Sequence, residues 1–386
     1  MKVLFASLLC HRDVEIFKFN WFVMRAQLDC GFDFPHLVLN DGSLTESDKT
    51  SLKTFPGLIL EEKPIKIYNA PKAVLLGKLE CLKRGFEQYG ADRVVVFDCD
   101  IFFLRNWDSD LRKILTEKTV VLRDWCGSLG PNIKEYKELF GVYQDTTTPN
   151  CNTGVISVLK EDYPKIEEKL QMHLAKPFLI MEDQGIMFAA FYGALSYVNG
   201  IKCLINNIES HPKMWNWVLK QNAVHLMGMR TRPFGLRSLV EHSLKNLPEF
   251  LHLKQFTPSY RYISWGLLTY DHLNFSLPLE LIPSTSGGEY ISDALYLHGG
   301  SHVRWTLPKR CNRFTTKIVC MDTGIPTNVG LITINEANYN LNDTVDIKLE
   351  GFLDIKTQNG PGTHLAFLEP KLYIDKSSPD LSHQVV

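Results

Sequence analysis

The sequence contains no apolar run long enough to cross a lipid bilayer. A membrane-spanning helix needs roughly 20 consecutive apolar residues, whereas the runs at 101–104 and 188–191 are short and soon interrupted. Residues 1–9 carry a brief apolar run, but no small-residue cleavage site precedes the polar residues 11–13. We therefore expect a first strand instead of a signal peptide, and a soluble protein without a transmembrane segment.

The sequence also has little net charge and no paired-cysteine motif. Its 386 residues include 42 Lys and Arg against 43 Asp and Glu, so no bulk attraction to nucleic acid or to an anionic membrane is expected. The nine cysteines form no CxxC pair, which fits buried thiols in a reducing compartment better than a disulfide framework. The cytoplasm is the simplest location, and any charged ligand must meet a local group of side chains.

Strand and helix patterns alternate in the first part of the chain. Residues 2–9, 36–39 and 93–97 have the composition of strands, and apolar residues recur at helical spacing over 14–28 and 74–89. The continuous apolar run at 94–97 is typical of a strand buried on both faces of a mainly parallel sheet. Further predicted elements are a strand at 155–159, a helix at 166–173 and a strand at 223–226. This order predicts an α/β domain.

The pattern changes near residue 285. Residues 284–288 form a small-residue linker, and short alternating runs such as 302–307, 314–320 and 344–349 follow it. Such runs, separated by turn residues, are typical of an antiparallel β-sandwich. We therefore predict an α/β domain at 1–250, a connecting segment at 251–289, a smaller all-β sandwich domain at 290–376 and a tail at 377–386.

The triplet Asp98-Cys99-Asp100 follows the buried strand at 93–97. Ligands of open α/β sheets bind outside the carboxyl ends of the strands, so the triplet lies where a site is expected. In an extended segment Asp98 and Asp100 share a face, while Cys99 points into the fold. Because hard divalent cations prefer oxygen ligands, the two aspartates are candidate cation ligands. The alternative is a solvated turn after a strand.

Five short segments stand in one order along about the first 240 residues: 77–81, 93–104, 151–155, 183–184 and 225–228. Together they resemble the GT-A fold glycosyltransferases, most closely glycosyltransferase family 8, which includes glycogenin and bacterial lipopolysaccharide galactosyltransferases. The resemblance implies a Rossmann-like GT-A catalytic domain that moves a hexose from a nucleotide diphosphate sugar to a glycan or another hydroxyl acceptor. It implies Mn²⁺ or Mg²⁺ as cofactor, and a UDP-sugar is the favoured donor.

The resemblance also implies roles for residues of the middle segments. Lys78 is the basic residue that contacts the donor, Asn152 touches the donor sugar, and Gly154 lets the backbone approach it. Asp183 binds sugar hydroxyls and Gln184 lies beneath the anomeric carbon, so this pair is the candidate catalytic pair. A plain turn before a strand and an acidic helix N-terminus remain the alternatives for the two segments.

The last segment, His225-Leu226-Met227-Gly228, is similar to the family's His-x-x-Gly. The resemblance implies that His225 is the third metal ligand and that the Gly228 amide meets phosphate. The family continues with Lys-Pro-Trp, whereas residues 229–234 here carry one extra residue, Arg in place of Lys and Phe in place of Trp. Arg230 or Arg232 is therefore the candidate for the remaining phosphate contact.

Other interpretations stay open. Asp41 resembles the base-binding Asp of the inverting family 2 transferases, and Ser7 is a further candidate donor contact. In that family the counterpart of Asp183 is the general base, so Asp183 fits both stereochemical outcomes. Retention is favoured because the segments at 151–155 and 225–228 have no counterpart in the inverting scheme. A haloacid-dehalogenase-like phosphatase, which would carry Thr or Val where Phe102 stands, and a non-catalytic sugar-binding protein are the remaining alternatives.

The sandwich segment resembles the jelly-roll carbohydrate-binding modules attached to sugar enzymes. Aromatic faces stack on sugar rings, yet most aromatics in a sandwich fill its core, so glycan binding stands beside packing or homo-oligomerisation. The aromatic residues concerned are Tyr290, Tyr296, Trp305, Phe314, Tyr339, Phe352, Phe367 and Tyr373.

Overall fold

The computed structural model describes residues 1–28, 34–62, 71–123, 151–175, 182–204, 212–226, 233–263, 268–270, 272–274, 281–283, 285–286, 289–290, 293–320, 331–358 and 364–379. The described helices are α1 (Val14–Ala26), α2 (Glu46–Leu52), α3 (Pro71–Glu87), α4 (Asp108–Thr116), α5 (Tyr163–Ala175), α6 (Glu182–Ala190), α7 (Pro212–Val218) and α8 (Pro233–Lys245). Short 3-10 helices lie at His11–Asp13, Lys160–Asp162 and Leu253–Gln255.

The strands of the first part are β1 (Val3–Leu9), β2 (His36–Asn40), β3 (Leu58–Glu62), β4 (Arg93–Phe97), β5 (Ile101–Phe103), β6 (Val120–Arg123), β7 (Cys151–Leu159), β8 (Ser196–Val198), β9 (Ile201–Cys203) and β10 (Ala223–His225). Those of the second part are β11 (Phe250–His252), β12 (Tyr260–Tyr262), β13 (Thr269–Tyr270), β14 (His272–Asn274), β15 (Leu281–Pro283), β16 (Thr285–Ser286), β17 (Glu289–Tyr290), β18 (Ala294–His298), β19 (His302–Thr306), β20 (Cys311–Cys320), β21 (Ile332–Ile334), β22 (Ala337–Tyr339), β23 (Thr344–Lys348), β24 (Phe352–Thr357) and β25 (His364–Ile374).

A seven-stranded sheet in the order β3-β2-β1-β4-β7-β6-β8 forms the centre of the first part. Strands β3, β2, β1 and β4 are mutually parallel, and β6 is parallel to β8. Only β7 runs against its neighbours β4 and β6. A second sheet of three strands, in the order β5-β10-β9, stands beside it. This mainly parallel α/β sheet confirms the predicted fold class of the first domain.

Strand β4 is buried on both faces, as its apolar run predicts. Val94 and Val96 pack into a core cluster with Leu82 of α3. Val95 and Phe97 belong to the opposite cluster, which α1 covers. Because both faces are closed by helices, β4 presents only its carboxyl end to ligands.

Helix α3 lies unusually close to the sheet because it carries glycine on the packed face. A Cβ atom at Gly77 would stand 2.4 Å from Leu8 Cδ2, and one at Gly85 would stand 2.4 Å from Val94 Cγ2. Neither distance leaves room for a side chain. The two glycines therefore set the separation of α3 from β1 and β4, and with it the position of Lys78, one residue after Gly77.

Beyond α8, the described residues include no α-helix. The larger two sheets there have the order β13-β18-β25-β20-β23, with β11 on β25, and the order β12-β19-β24-β21-β22. Side chains of both sheets, such as Phe314 and Trp305, meet in one hydrophobic cluster, which is the arrangement of a β-sandwich. The predicted all-β class is therefore confirmed. Strands β11, β12 and β13 lie in the segment 251–289 or at its border and pair with strands of these two sheets.

The two parts share contacts along α1 and the segment after α8. The Arg310 guanidinium lies 5.5 Å from the centre of the Phe19 ring. Trp305 Nε1 donates to the Phe256 carbonyl at 3.2 Å, and Lys376 Nζ donates to the Leu247 carbonyl at 2.7 Å. Within the described ranges, no helix is both long and apolar enough to traverse a bilayer.

Substitution of Gly85 by Val tests the close packing of α3. We expect Gly85→Val to lower the free energy of unfolding by about 2 to 3 kcal/mol, because the buried Val94 must be displaced. Lys83→Val places the same residue on the exposed side of the helix and should change stability much less. Urea denaturation of both variants measures the difference. Equal stability of the two variants would contradict this packing.

Candidate active site

The acidic triplet forms a turn that joins the large sheet to the small one. Asp98 follows Phe97, the last residue of β4, and Cys99 and Asp100 form the turn before β5. The prediction that these residues are extended is therefore wrong, because the chain must leave one sheet and enter another within three residues. The orientation that it implied still holds, since Cys99 packs against the core while both aspartates face His225.

Hydrogen bonds hold the backbone of this turn on every side. They come from α1, from the neighbouring strands and from the end of β10, so the turn is fixed before any ligand arrives. The bonds are Ser7 Oγ to Phe97 O (2.9 Å), Asp98 N to Gly154 O (2.8 Å), Asn20 Nδ2 to Cys99 O (2.8 Å) and Leu226 N to Asp100 O (3.0 Å).

His225 stands against both carboxylates of the turn. Its Nε2 lies 3.1 Å from Asp100 Oδ1 and 3.5 Å from Asp98 Oδ2. Strand pairing explains the approach, because His225 is directly opposite Ile101, the residue after Asp100. Burial lowers the pKa of His225, but the charge of Asp100 outweighs burial, so the pKa is well above its usual value.

Lys78 occupies the other side of Asp98 and is only 5% exposed. Its Nζ lies 2.8 Å from Asp98 Oδ1 and 3.2 Å from Asp183 Oδ2, and donates to the Thr153 carbonyl at 3.2 Å. An ammonium group has three donors, so these three acceptors use all of them. The predicted contact of Lys78 with the donor is untested. In this arrangement Lys78 instead joins the acidic turn to the candidate catalytic pair.

The charges of neighbouring side chains explain the directions in which the pKa values of Lys78 and Asp183 shift. Burial alone would lower the pKa of Lys78, but Asp98 and Asp183 outweigh it and the pKa is raised. Burial alone would raise the pKa of Asp183, but the Lys78 charge and the hydrogen bond from Thr153 outweigh it and the pKa is lowered. Asp183 is therefore ionised and firmly held at neutral pH.

A bulge in β7 aims three consecutive residues at the site. Val121 of β6 pairs with Ile156, whereas the next residue, Leu122, pairs with Asn152. Bulges of this kind redirect side chains next to functional sites. Asn152 thereby reaches His225 with its Oδ1 3.0 Å from Nδ1, and Thr153 donates to Asp183 at 2.5 Å.

The structure gives a steric reason for glycine at position 154. A Cβ atom there would lie 2.5 Å from His225 Nδ1, so the imidazole ring fills the space above the glycine. The family resemblance implies that Asn152 and Gly154 contact the donor sugar. Both residues touch His225 instead, and a sugar contact at either remains a prediction.

Gln184 lies in the first turn of α6, next to Asp183, and is 9% exposed. Its backbone N–H donates to Asp183 Oδ1 at 3.0 Å. Its side-chain oxygen Oε1 is buried and has no hydrogen-bond partner among the described residues. A buried acceptor without a partner is costly, and a hydroxyl group of a ligand would satisfy it.

The donor set fits a hard divalent cation. Ligand atoms of Asp98, Asp100 and His225 all lie within 4.8 Å of one another, and two carboxylates with one imidazole suit Mn²⁺ or Mg²⁺. With Asp183, the carboxylates carry a formal charge of −3, and Lys78 returns +1. When His225 is neutral, as coordination requires, the remaining charge is −2, which one divalent cation cancels.

Other predicted site residues lie apart from this cluster or outside the described residues. Ser7 is buried, and its hydroxyl lies between the Phe97 carbonyl and His36 Nε2, both at 2.9 Å, so it supports the strands. Asp41 accepts from Ser43 N at 3.0 Å in the turn after β2. Gly228, Arg230 and Arg232 lie outside the residues that the structure describes.

Sequence reasoning missed three residues of the site. Asn20 holds the Cys99 carbonyl, Thr153 bridges to Asp183, and the Cys203 Sγ lies 3.8 Å from His225 Nδ1. Asn20 is the farthest of the three from its partner in sequence, in a helix whose buried residues are mostly apolar. A buried polar residue on the packed side of α1 is the one signal that would have marked it.

No protein-family model and no curated protein matches the sequence. The fold is similar to solved structures of two kinds. The galactosyltransferase LgtC, in complex with donor and acceptor sugar analogues, is 14% identical with a TM-score of 0.46 over 64% of this chain and 97% of that chain. The apo bifunctional glycosyltransferase WbbM is 12% identical with a TM-score of 0.43 over 59% and 46%.

The second kind matches a smaller share of the chain. The CBM51 module of Clostridium perfringens GH95, in complex with methyl-galactose, is 14% identical with a TM-score of 0.26 over 32% of this chain and 99% of that chain. Glycosyltransferases and a carbohydrate-binding module are the two kinds of protein that the sequence resembles. At these identities the likeness concerns the fold, so the function of the chain is inferred from the side chains of the site.

Removal of the Lys78 charge tests the electrostatic balance of the site. In Lys78→Met, Asp98 and Asp183 repel each other without a cation between them. Removing one partner of a fully buried pair costs about 3 to 5 kcal/mol, and partial exposure of the two carboxylates reduces the expected loss to about 2 to 3 kcal/mol.

The control is Lys49→Met, which also removes an ammonium between two carboxylates, those of Glu46 and Glu62, but on the surface. Its effect should be far smaller. Urea unfolding in the presence of EDTA compares both variants with the wild type. A Lys78→Met protein as stable as Lys49→Met would contradict the proposed balance.

Proposed function

We propose that the chain is a metal-dependent glycosyltransferase that moves a hexose from a nucleotide diphosphate sugar, with a UDP-sugar as the favoured donor, to a glycan or another hydroxyl acceptor. The observation that carries the proposal is the convergence of Asp98, Asp100 and His225 beside the Lys78–Asp183 ion pair. The group lies at the carboxyl end of β4, where the ligands of open α/β sheets bind.

Asp98, Asp100 and His225 would hold Mn²⁺ or Mg²⁺. When bound, such a cation stabilises the negative charge that develops on a departing diphosphate. The backbone bonds to Phe97, Cys99 and Asp100 keep the carboxylates in place, so little reorganisation is needed when a ligand binds. Arg230 or Arg232 remains the proposed source of a further phosphate contact.

Asp183 and Gln184 would orient the donor sugar. The Asp183 carboxylate is held by Lys78 and Thr153 and has a lowered pKa, which makes it a weak proton acceptor. A general-base role in an inverting reaction is therefore disfavoured. The unpaired Gln184 Oε1 supports a contact between this residue and the sugar. Retention of anomeric configuration follows as the favoured outcome.

A phosphatase is less well supported by the same contacts. A nucleophilic Asp98 would need a free carboxylate oxygen, whereas Oδ1 and Oδ2 lie 2.8 and 2.9 Å from Lys78 Nζ. A cation ligand uses the same oxygens without breaking any bond.

For the β-sandwich we propose glycan binding. Trp305, Phe314 and Phe367 are buried in its core, as expected for most of its aromatics, and Tyr296 is buried in a separate cluster with Ala294 and Ala366. On the outer side, Tyr260 and Tyr262 are 50% and 58% exposed and Phe352 is 39% exposed. Exposed aromatic faces suit stacking on sugar rings.

The described cysteines support the proposed location. Cys81, Cys99 and Cys311 are free thiols, and Cys81 and Cys311 are buried. Free buried thiols are typical of reducing compartments. We therefore propose that the chain works in the cytoplasm.

The acidic turn is tested by removing one ligand charge at a time. Asp98→Asn and Asp100→Asn should each reduce Mn²⁺-dependent turnover of the nucleotide sugar by about 10²-fold or more, since an electrostatic contribution to the transition state is lost. Asp346→Asn, at an exposed carboxylate of the sandwich, should leave turnover unchanged. A panel of nucleotide sugars assayed with and without metal gives the measurement. Unchanged turnover in Asp98→Asn would exclude the proposed site.

The anomeric configuration of the transfer product tests the roles of Asp183 and Gln184. We expect retention in the wild type and a slower reaction with the same configuration in Gln184→Ala. Proton NMR of the product, recorded before mutarotation, reads the configuration directly. An inverted product would identify Asp183 as the general base and contradict the assignment.

A further inference from the structure

The two ring nitrogens of His225 face different partners. Nε2 faces Asp98 and Asp100, whereas Nδ1 lies 3.0 Å from Asn152 Oδ1 and 3.8 Å from Cys203 Sγ. An imidazole binds a cation only through a nitrogen that carries no proton. Coordination through Nε2 therefore requires that the ring proton stay on Nδ1, and the group facing Nδ1 decides whether it does.

The orientation of the Asn152 amide is fixed by its own strand. The backbone N–H of Gly154, which can only donate, lies 2.8 Å from Asn152 Oδ1. The oxygen of the amide, not its nitrogen, must therefore face Gly154. The same oxygen faces His225 Nδ1, so Nδ1 must be the donor of that hydrogen bond. Neutral His225 then has its lone pair on Nε2, toward the two carboxylates.

The backbone leaves this arrangement little freedom. Asn152 is 2% exposed and His225 is 5% exposed. The β7 bulge delivers the Asn152 side chain, and the absence of a side chain at Gly154 makes room for the ring. A sugar contact through the Asn152 oxygen would compete with both of its donors.

We propose that Asn152 is a positioning residue of the candidate metal centre, which holds the His225 proton on Nδ1 and thereby sets cation affinity. The inference rests on the proposed function insofar as Asp98, Asp100 and His225 hold the cation. It differs from the sequence-based expectation, in which Asn152 touches the donor sugar. Groups that orient a metal-bound histidine typically change metal affinity by about 10- to 100-fold.

The test is calorimetric titration of the full chain with Mn²⁺ alone, without nucleotide. Asn152→Leu and Asn152→Ser remove the acceptor and should each weaken Mn²⁺ binding by about 10- to 100-fold. Asn152→Asp keeps an acceptor oxygen and should bind Mn²⁺ at least as tightly as the wild type. Because Asn152→Leu can fail to fold, the comparison is made between Asn152→Ser and Asn152→Asp. Thermal unfolding in EDTA checks that each variant is folded.

Asn40→Ser is a matched control. Asn40 Oδ1 also accepts from the N–H of the glycine two residues later, Gly42, at 2.8 Å, but in the turn after β2. This variant should retain wild-type Mn²⁺ affinity. In addition, ¹⁵N spectra of the His225 ring in the Mg²⁺-loaded protein should show a protonated Nδ1 in the wild type and in Asn152→Asp, and a loss of this single form in Asn152→Ser.

The outcomes separate the inference from the proposed function. Unchanged Mn²⁺ affinity in Asn152→Ser, with a raised KM for the nucleotide sugar, would overturn the inference in favour of a sugar contact. A wild type that binds no cation would overturn both. Weakened Mn²⁺ binding in Asn152→Ser, in a protein that transfers no sugar, would support the inference and refute the transferase.

Discussion

Charge balance within one turn and its neighbours is the constraint on which this site depends. Asp98, Asp100 and Asp183 converge on a small, largely buried region, where like charges repel strongly. The ammonium of Lys78 compensates one of these charges and ties Asp98 to Asp183. With a neutral His225, as coordination requires, a charge of −2 remains beside the imidazole. The fold thus leaves a negative charge that a bound divalent cation would compensate.

Two sheets cooperate to hold that charge. The large sheet supplies the end of β4 and the bulged strand β7, and the small sheet supplies β10 with His225. The turn that carries the aspartates is the connection between the two sheets, so any movement between them would separate the ligands. Hydrogen bonds from α1 and the strands restrain this movement, and the glycines of α3 place Lys78 at its depth in the core.

Local sequence patterns predicted most of the α/β fold, because burial on one or both faces leaves a periodic signal. The apolar run of β4, the helical spacing of α3 and the position of the acidic triplet follow from such signals. Features that depend on partners distant in sequence were not predicted. Leu251 and His252 of β11 pair with Leu372 and Lys371 of β25 in one sheet of the sandwich, so no local pattern within 251–289 marks them as part of that sheet.

The candidate site divides in the same way. Residue types and family resemblance singled out Asp98, Asp100, Asp183 and His225, which the fold brings together. The partners of Lys78 and Asn152 were not predictable, because the β7 bulge and the close approach at Gly154 decide which group each side chain meets. Asn20 carries no motif at all, and only the packing of α1 against the turn reveals its contact.

Anomalous diffraction from crystals soaked in Mn²⁺ tests the central claim most directly, because the method locates the cation without reference to activity. The account predicts one strong peak within about 2.5 Å of a carboxylate oxygen of Asp98, of a carboxylate oxygen of Asp100 and of His225 Nε2. No peak at this turn, with His225 Nε2 still donating to Asp100, would contradict the account.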